Sequence, residues 1–161
     1  MSKILTAKAA AENALSLELD RSESLSRQAW KFVAGIVVVS GFQLRDLKSL
    51  VESPSPWVKI LCCLSLAVLA AALFLACRSL QDRSGGDYPR GQKLWESLKP
   101  ESVSEEAAVE ALVQMLLQSR EQNARLNDTK TRLLGWCGWI FLIGSWLVIV
   151  SQLLDAFENW T

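Results

Sequence analysis

The chain has 161 residues, 50% of them hydrophobic, with 17 Lys and Arg set against 17 Asp and Glu, four cysteines and no histidine. Two apolar stretches, 58–77 and 133–154, each run to about the 20 residues a membrane-crossing helix needs, and the remaining sequence is too short and polar to bury them, which excludes a soluble globular core. The absence of histidine removes the commonest metal ligand and the usual neutral-pH proton shuttle, and Cys62, Cys63, Cys77 and Cys137 match no metal spacing and are expected as small apolar filler, so no metal centre is expected.

Residues 1–28 are polar and charged, without the early apolar run of a cleavable signal. Their apolar positions Ile4, Ala7, Ala11, Ala14, Leu15, Leu19, Leu25 and Ala29 keep helical spacing, which predicts an amphipathic helix that runs on into the next segment. Residues 29–77 read as a transmembrane hairpin. Its first half holds the run Val33-Ala34-Gly35-Ile36-Val37-Val38-Val39 and reaches a spanning length only when extended over 29–50, with Lys31 at one end and Arg45, Asp46 and Lys48 at the other, where long cationic side chains can snorkel to headgroups. Pro54 and Pro56 close a short connection, and 58–77 follows with Lys59 as its one charge.

Residues 78–132 form a linker and a second helix. The linker joins Gly85, Gly86 and Gly91 to Arg78, Arg83, Arg90 and Lys93, with Tyr88 and Trp95 between and after them. Glycines let backbone amides approach an anion, guanidinium groups grip phosphate, and aromatic faces stack on bases, so these residues are candidates for binding a nucleotide or short oligonucleotide. A solvated basic linker touching anionic headgroups explains the same residues, and no Walker or dinucleotide motif is present. After Pro100, Ser102 with Glu105 makes a capping-box pattern, and Glu105, Glu106 and Glu110 place negative charge at the helix start. The seam Val109, Leu112, Leu116, Ser119, Asn123, Leu126, Lys130, Leu133 begins apolar and turns polar. It is expected either to pair the two cytoplasmic helices within one chain or, through Val109, Leu112, Leu116, Asn123 and Leu126, to hold a homo-oligomer together, most simply a tetramer.

Residues 133–154 form the third apolar stretch and 155–161 an acidic tail. Five Lys or Arg precede the first stretch (Lys3, Lys8, Arg21, Arg27, Lys31), nine lie between the second and third, and none follows Leu154. That bias predicts a multi-pass protein of the inner (cell) membrane with its N-terminus and middle segment cytoplasmic and its C-terminus outside. Trp30, Trp57, Trp136, Trp139 and Trp160 are expected at interfaces and Trp146 in internal packing. The fold expected is all-α, an integral membrane protein with three transmembrane helices and cytoplasmic helical extensions.

No serine has a histidine to activate it and no paired carboxylates lie in the apolar stretches, so neither an enzyme nor a cofactor is expected. The apolar stretches do hold small and uncharged polar residues, among them Gly35, Gly41, Gly138, Gly144, Ser65 and Ser151, which can glue helices or line a pore; Ser40 and Gln43, three apart on one face, are the pore-lining candidates.

The stretch Leu126-Asn127-Asp128-Thr129-Lys130-Thr131-Arg132-Leu133-Leu134, with Asp-Thr-Lys just before a span, resembles the start of the membrane helices of Pycsar-type transmembrane effectors. The layout of few spans and a small basic helical part is similar to other membrane effectors of bacterial antiphage systems, including Hailong-type and CRISPR-associated channel-like effectors. The resemblance implies an oligomeric pore or membrane-disrupting effector in antiphage defence, controlled by a cytoplasmic nucleotide or oligonucleotide and working with a partner nucleotidyltransferase. The alternative from the residues themselves is a non-conducting membrane anchor or assembly subunit that binds a protein partner through its cytoplasmic helices.

Overall fold

The computed structural model describes residues 2–45, 55–81, 105–158 and 160. Among these the chain is all-helical: α1 (Ser2–Arg45), α2 (Pro56–Gln81) and α3 (Glu105–Glu158). Helix α1 opens on strong helix formers such as Lys8-Ala9-Ala10-Ala11-Glu12 and meets no proline over its 44 residues. Ser55 stands at the N-cap position of α2 and Pro56 takes the first helical position, where its missing N–H costs nothing; Arg78 faces the negative end of the helix dipole in the last turn. Helix α3 starts on acidic residues and continues for 54 residues without a proline.

The chain divides into two compact units, to both of which α1 and α3 contribute: Met1–Leu25 with Asp82–Thr129, and Ser26–Gln81 with Lys130–Thr161. In the first, the described residues form a pair of helices whose apolar core is Ala11 and Leu15 of α1 against Leu116 of α3, with Leu112 packed beside them. In the second, three helices surround a core of Ile36, Leu69, Ala72, Ala76, Cys137 and Val148. Here α1 and α3 run parallel, since Phe32 approaches Gly138 while Gly35 approaches Phe141. Helix α2 runs against α3: Cys137 Sγ donates to Ala72 O at 3.3 Å, and Gly144, further along α3, meets Leu69 and Val68, earlier on α2.

Buried positions recur at steps of three, four or their sum on every helix. On α2 they are Val58, Cys62, Ser65, Leu69, Ala72, Ala76 and Ser79; on α1, Ala11, Leu15, Ser22, Leu25, Ala29, Ile36 and Gln43 fall on one such register. That is the knobs-into-holes spacing of left-handed helix packing. Three expectations are corrected by it. Leu19 is 46% exposed, because the register from Leu15 passes through Glu18 and Ser22 instead. Trp146 is 66% exposed and packs against no core, because it lies about 200° round the helix from the seam residue Gly144. On α3 a second consecutive step of four, from Asn123 to Asn127, also moves the fully buried positions from Leu126 and Leu133 to Asn127 and Leu134.

Two helices, α2 and α3, are long and apolar enough to cross a membrane, and only 28% and 22% of their most apolar windows are buried within the chain. A core helix of a soluble protein would be mostly buried. Instead Trp57, Phe74, Trp139, Leu142, Trp146 and Leu153 are exposed around the three-helix unit.

Candidate functional site

Four uncharged polar side chains of the three-helix unit, Gln43, Ser65, Ser79 and Ser151, are turned inward. Gln43, fully buried near the C-terminal end of α1, donates from Nε2 to Cys62 O at 3.1 Å and to Ser65 Oγ, with Cys62 Sγ at 3.5 Å. Ser65 Oγ in turn donates to Cys62 O at 2.8 Å. Ser79 and Ser151, also buried, donate to carbonyls of their own helices, Ala76 O at 2.7 Å and Val148 O at 2.8 Å. An apolar surround leaves such groups only protein partners, so this is the pattern of helices glued through hydroxyl and amide groups. Two acceptors in this unit, Gln43 Oε1 and Ser145 Oγ, are buried without a hydrogen-bond partner.

Small residues let the same three helices approach closely. A Cβ on Gly144 would stand 2.8 Å from Leu69 Cδ2 and 3.0 Å from its Cγ, inside contact distance of a side chain that is itself fully buried. Across the α1–α3 contact, Phe32 and Phe141 meet edge to face at 6.4 Å, each ring filling space above the other helix's glycine.

In the two-helix unit the seam changes from apolar to polar along its length. Beyond Leu15 and Leu116 it is continued by Glu18 and Ser22 on α1 and by Asn123 and Asn127 on α3. Asn127 Nδ2 donates to Glu18 O at 2.8 Å and to Glu18 Oε2 at 3.0 Å, bonding side chain to backbone across the pair. Arg21 brackets this layer from outside, 3.8 Å from Glu18 Oε2 and 3.0 Å from Asp128 Oδ1. Polar seam residues of this kind fix the register of paired helices at some expense in stability.

The residues marked out from sequence separate accordingly. Gln43 is in the interhelical seam and Ser40 beside it is half-buried. Of the ligand-binding candidates, Arg78 is exposed in the last turn of α2, whereas Arg83, Tyr88, Arg90, Lys93 and Trp95 lie outside the described residues, as does Ser102 of the capping box. In the proposed oligomer stripe, Leu116 is used within the chain against Ala11 and Leu15, Leu112 packs beside it, Asn123 is buried and donates to Ser119 O at 2.9 Å, and Val109 and Leu126 are half-buried. Glu18 and Asn127 are the site residues that the apolar pattern does not reveal; their signal is the continuation of the Leu15 and Leu116 registers through polar positions. Among the described residues no cluster of three metal-ligating side chains occurs. No protein-family model, curated protein or solved structure matches the chain.

Proposed function

We propose that this chain is a non-conducting membrane anchor that crosses the bilayer three times and offers its paired cytoplasmic helices to a protein partner. The observation that carries the reading is the division of the three-helix unit into an inward seam, where small apolar residues enclose a few uncharged polar groups, and an outward apolar face. Gln43, Ser65, Ser79 and Ser151 are buried and spend their donors on protein oxygens, while Val37, Phe42, Ile60, Phe74, Ile143 and Ile149 are exposed. A surface of that kind suits lipid and not an aqueous lining. The stretch of α1 from Trp30 to Arg45 belongs to a span on the same ground: Ile36 and Gln43 face the unit's interior, and Val37, Val38, Phe42 and Leu44 face outward. The Lys and Arg distribution orients the two-helix unit to the cytoplasm. Its polar layer at Glu18 and Asn127 holds that pair in one register, which gives a partner a defined surface.

Purified protein reconstituted in planar bilayers tests the reading against a nucleotide-gated effector. The expected result is no unitary current, with or without added cyclic nucleotides or short oligonucleotides. Currents that appear on adding either ligand, and that fall with Gln43→Leu or lose ligand control with Arg83→Ala/Arg90→Ala, would overturn the anchor and establish an antiphage-type channel effector.

A further inference from the structure

The outward faces of α2 and α3 differ in a way that lipid alone does not require. Helix α3 is bulky there: Trp139 and Trp146, two turns apart, wall a notch floored by Leu142 and Ile143 and continued by Leu147 and Val150. Helix α2 is narrow at the middle of its outward face, where Ala67, Ala70 and Ala71 are exposed between the larger Leu64 and Phe74, with Cys63 beside Leu64. Lipid-facing positions gain from large apolar side chains, whereas small exposed residues let another helix come close and gain packing that lipid does not offer.

The two features also lie at the same depth. Gly144 contacts Leu69 and Val68, and Cys137 bonds Ala72, on antiparallel helices that each rise about 1.5 Å per residue. Counting from these contacts, Leu142 is level with Ala70 and Trp146 with Ala67. Copies related by rotation about an axis along the membrane normal keep their depth. A notch and a waist that are level in one chain are therefore level between neighbours, and because they belong to different helices they join head to tail and not like to like.

We infer that copies of this chain associate head to tail in the membrane, the Ala67–Ala71 waist of α2 in one copy seated in the Trp139–Trp146 notch of α3 in the next. The inference rests on the membrane placement proposed above and adds to the anchor a means of arraying its cytoplasmic helices in a ring.

Oxidative crosslinking of the full chain in membranes tests this, with native Cys63 one turn from the waist, Ile143→Cys in the notch and exposed Cys77 replaced by Ser. The expected result is a ladder of disulfide-linked multimers on a non-reducing gel, abolished by Cys63→Ser and reduced about tenfold by Ala67→Leu, which fills the waist. Trp146→Ala, on the surface and harmless to folding of the single chain, should reduce the ladder similarly. Absence of intermolecular products, or dimers that persist in Cys63→Ser, would overturn the head-to-tail interface. The bilayer recording separates this outcome from the anchor itself: no ladder with no current removes only the interface, whereas a ladder with current leaves the interface and removes the anchor.

Discussion

The two units are built on the same three-four spacing and fill it with opposite chemistry. In the three-helix unit the seam is small and nearly apolar, with Cys62, Ala72, Ala76, Cys137 and Gly144, and Gln43, Ser65, Ser79 and Ser151 are bonded across or along the helices. In the two-helix unit the seam starts with Ala11, Leu15 and Leu116 and passes to Glu18, Ser22, Asn123 and Asn127. Outside, the arrangement reverses: exposed tryptophan, phenylalanine and isoleucine surround the first, and exposed ion pairs such as Arg125–Glu121 at 2.7 Å and Lys8–Glu12 at 3.8 Å the second. Helix spacing therefore sets which positions face inward in both, and on the proposed membrane placement the surrounding solvent decides what the inside and outside are made of. In water the apolar core supplies the drive and polar seam residues select register; next to lipid the drive is close packing and the glue is the hydrogen bond.

That contrast predicts effects of different size in the two units. The largest is Leu116→Asp, which buries a charge in the small core with Ala11 and Leu15; a loss of about 3–5 kcal/mol should melt the helix pair, seen as protease sensitivity of the N-terminal 25 residues. Leu117→Asp, one residue on but 47% exposed, should change little. Next comes Gly144→Ala, which drives a methyl into Leu69 and should lower stability in detergent by about 1–3 kcal/mol. Gly135→Ala, where an added Cβ meets nothing within 4 Å, should be neutral or stabilising by up to about 1 kcal/mol. Opposite signs at two glycines of one helix, measured by thermal unfolding in micelles, would sharpen the close-packing account; equal signs would break it.

Smaller effects follow from the polar groups. Gln43→Leu removes the bonds to Cys62 O and Ser65 but also an unsatisfied buried acceptor, so the net loss in detergent stability should be about 1 kcal/mol or less. The smallest is the Arg21–Asp128 pair, both members well exposed: a double-mutant cycle with Arg21→Gln and Asp128→Asn should give a coupling under about 1 kcal/mol that shrinks as salt rises.

Much of this architecture was legible in the sequence, and the illegible part has definite causes. The long helices, the two most apolar stretches and the core residues Ala11, Leu15 and Leu116 follow from spacing and composition, which are local properties. Leu19 and Trp146 misled for one reason: hydrophobicity names residues that favour an apolar setting but not the side of the helix on which that setting lies. Register answers that question, and a register that runs through Glu18, Ser22 and Asn127 is invisible to a search for apolar residues. The partners of Gln43 could not be read at all, since they depend on how α2 is rotated against α1. The anion-binding candidates of the linker rest on sequence, with only Arg78 among the described residues.

The dry inward seam and outward apolar face are the centre of the account, and spin labels placed singly along α2 in reconstituted bilayers test them most directly. Collision with a lipid-soluble relaxing agent should peak at positions 60, 63, 67, 70 and 74, which are exposed in the chain, and positions 62, 65, 69 and 72, which are buried, should be shielded both from it and from a water-soluble agent. Strong collision of the water-soluble agent with labels at 62, 65 and 69 would mean that the seam of Gln43 and Ser65 is a hydrated path, and would contradict the account.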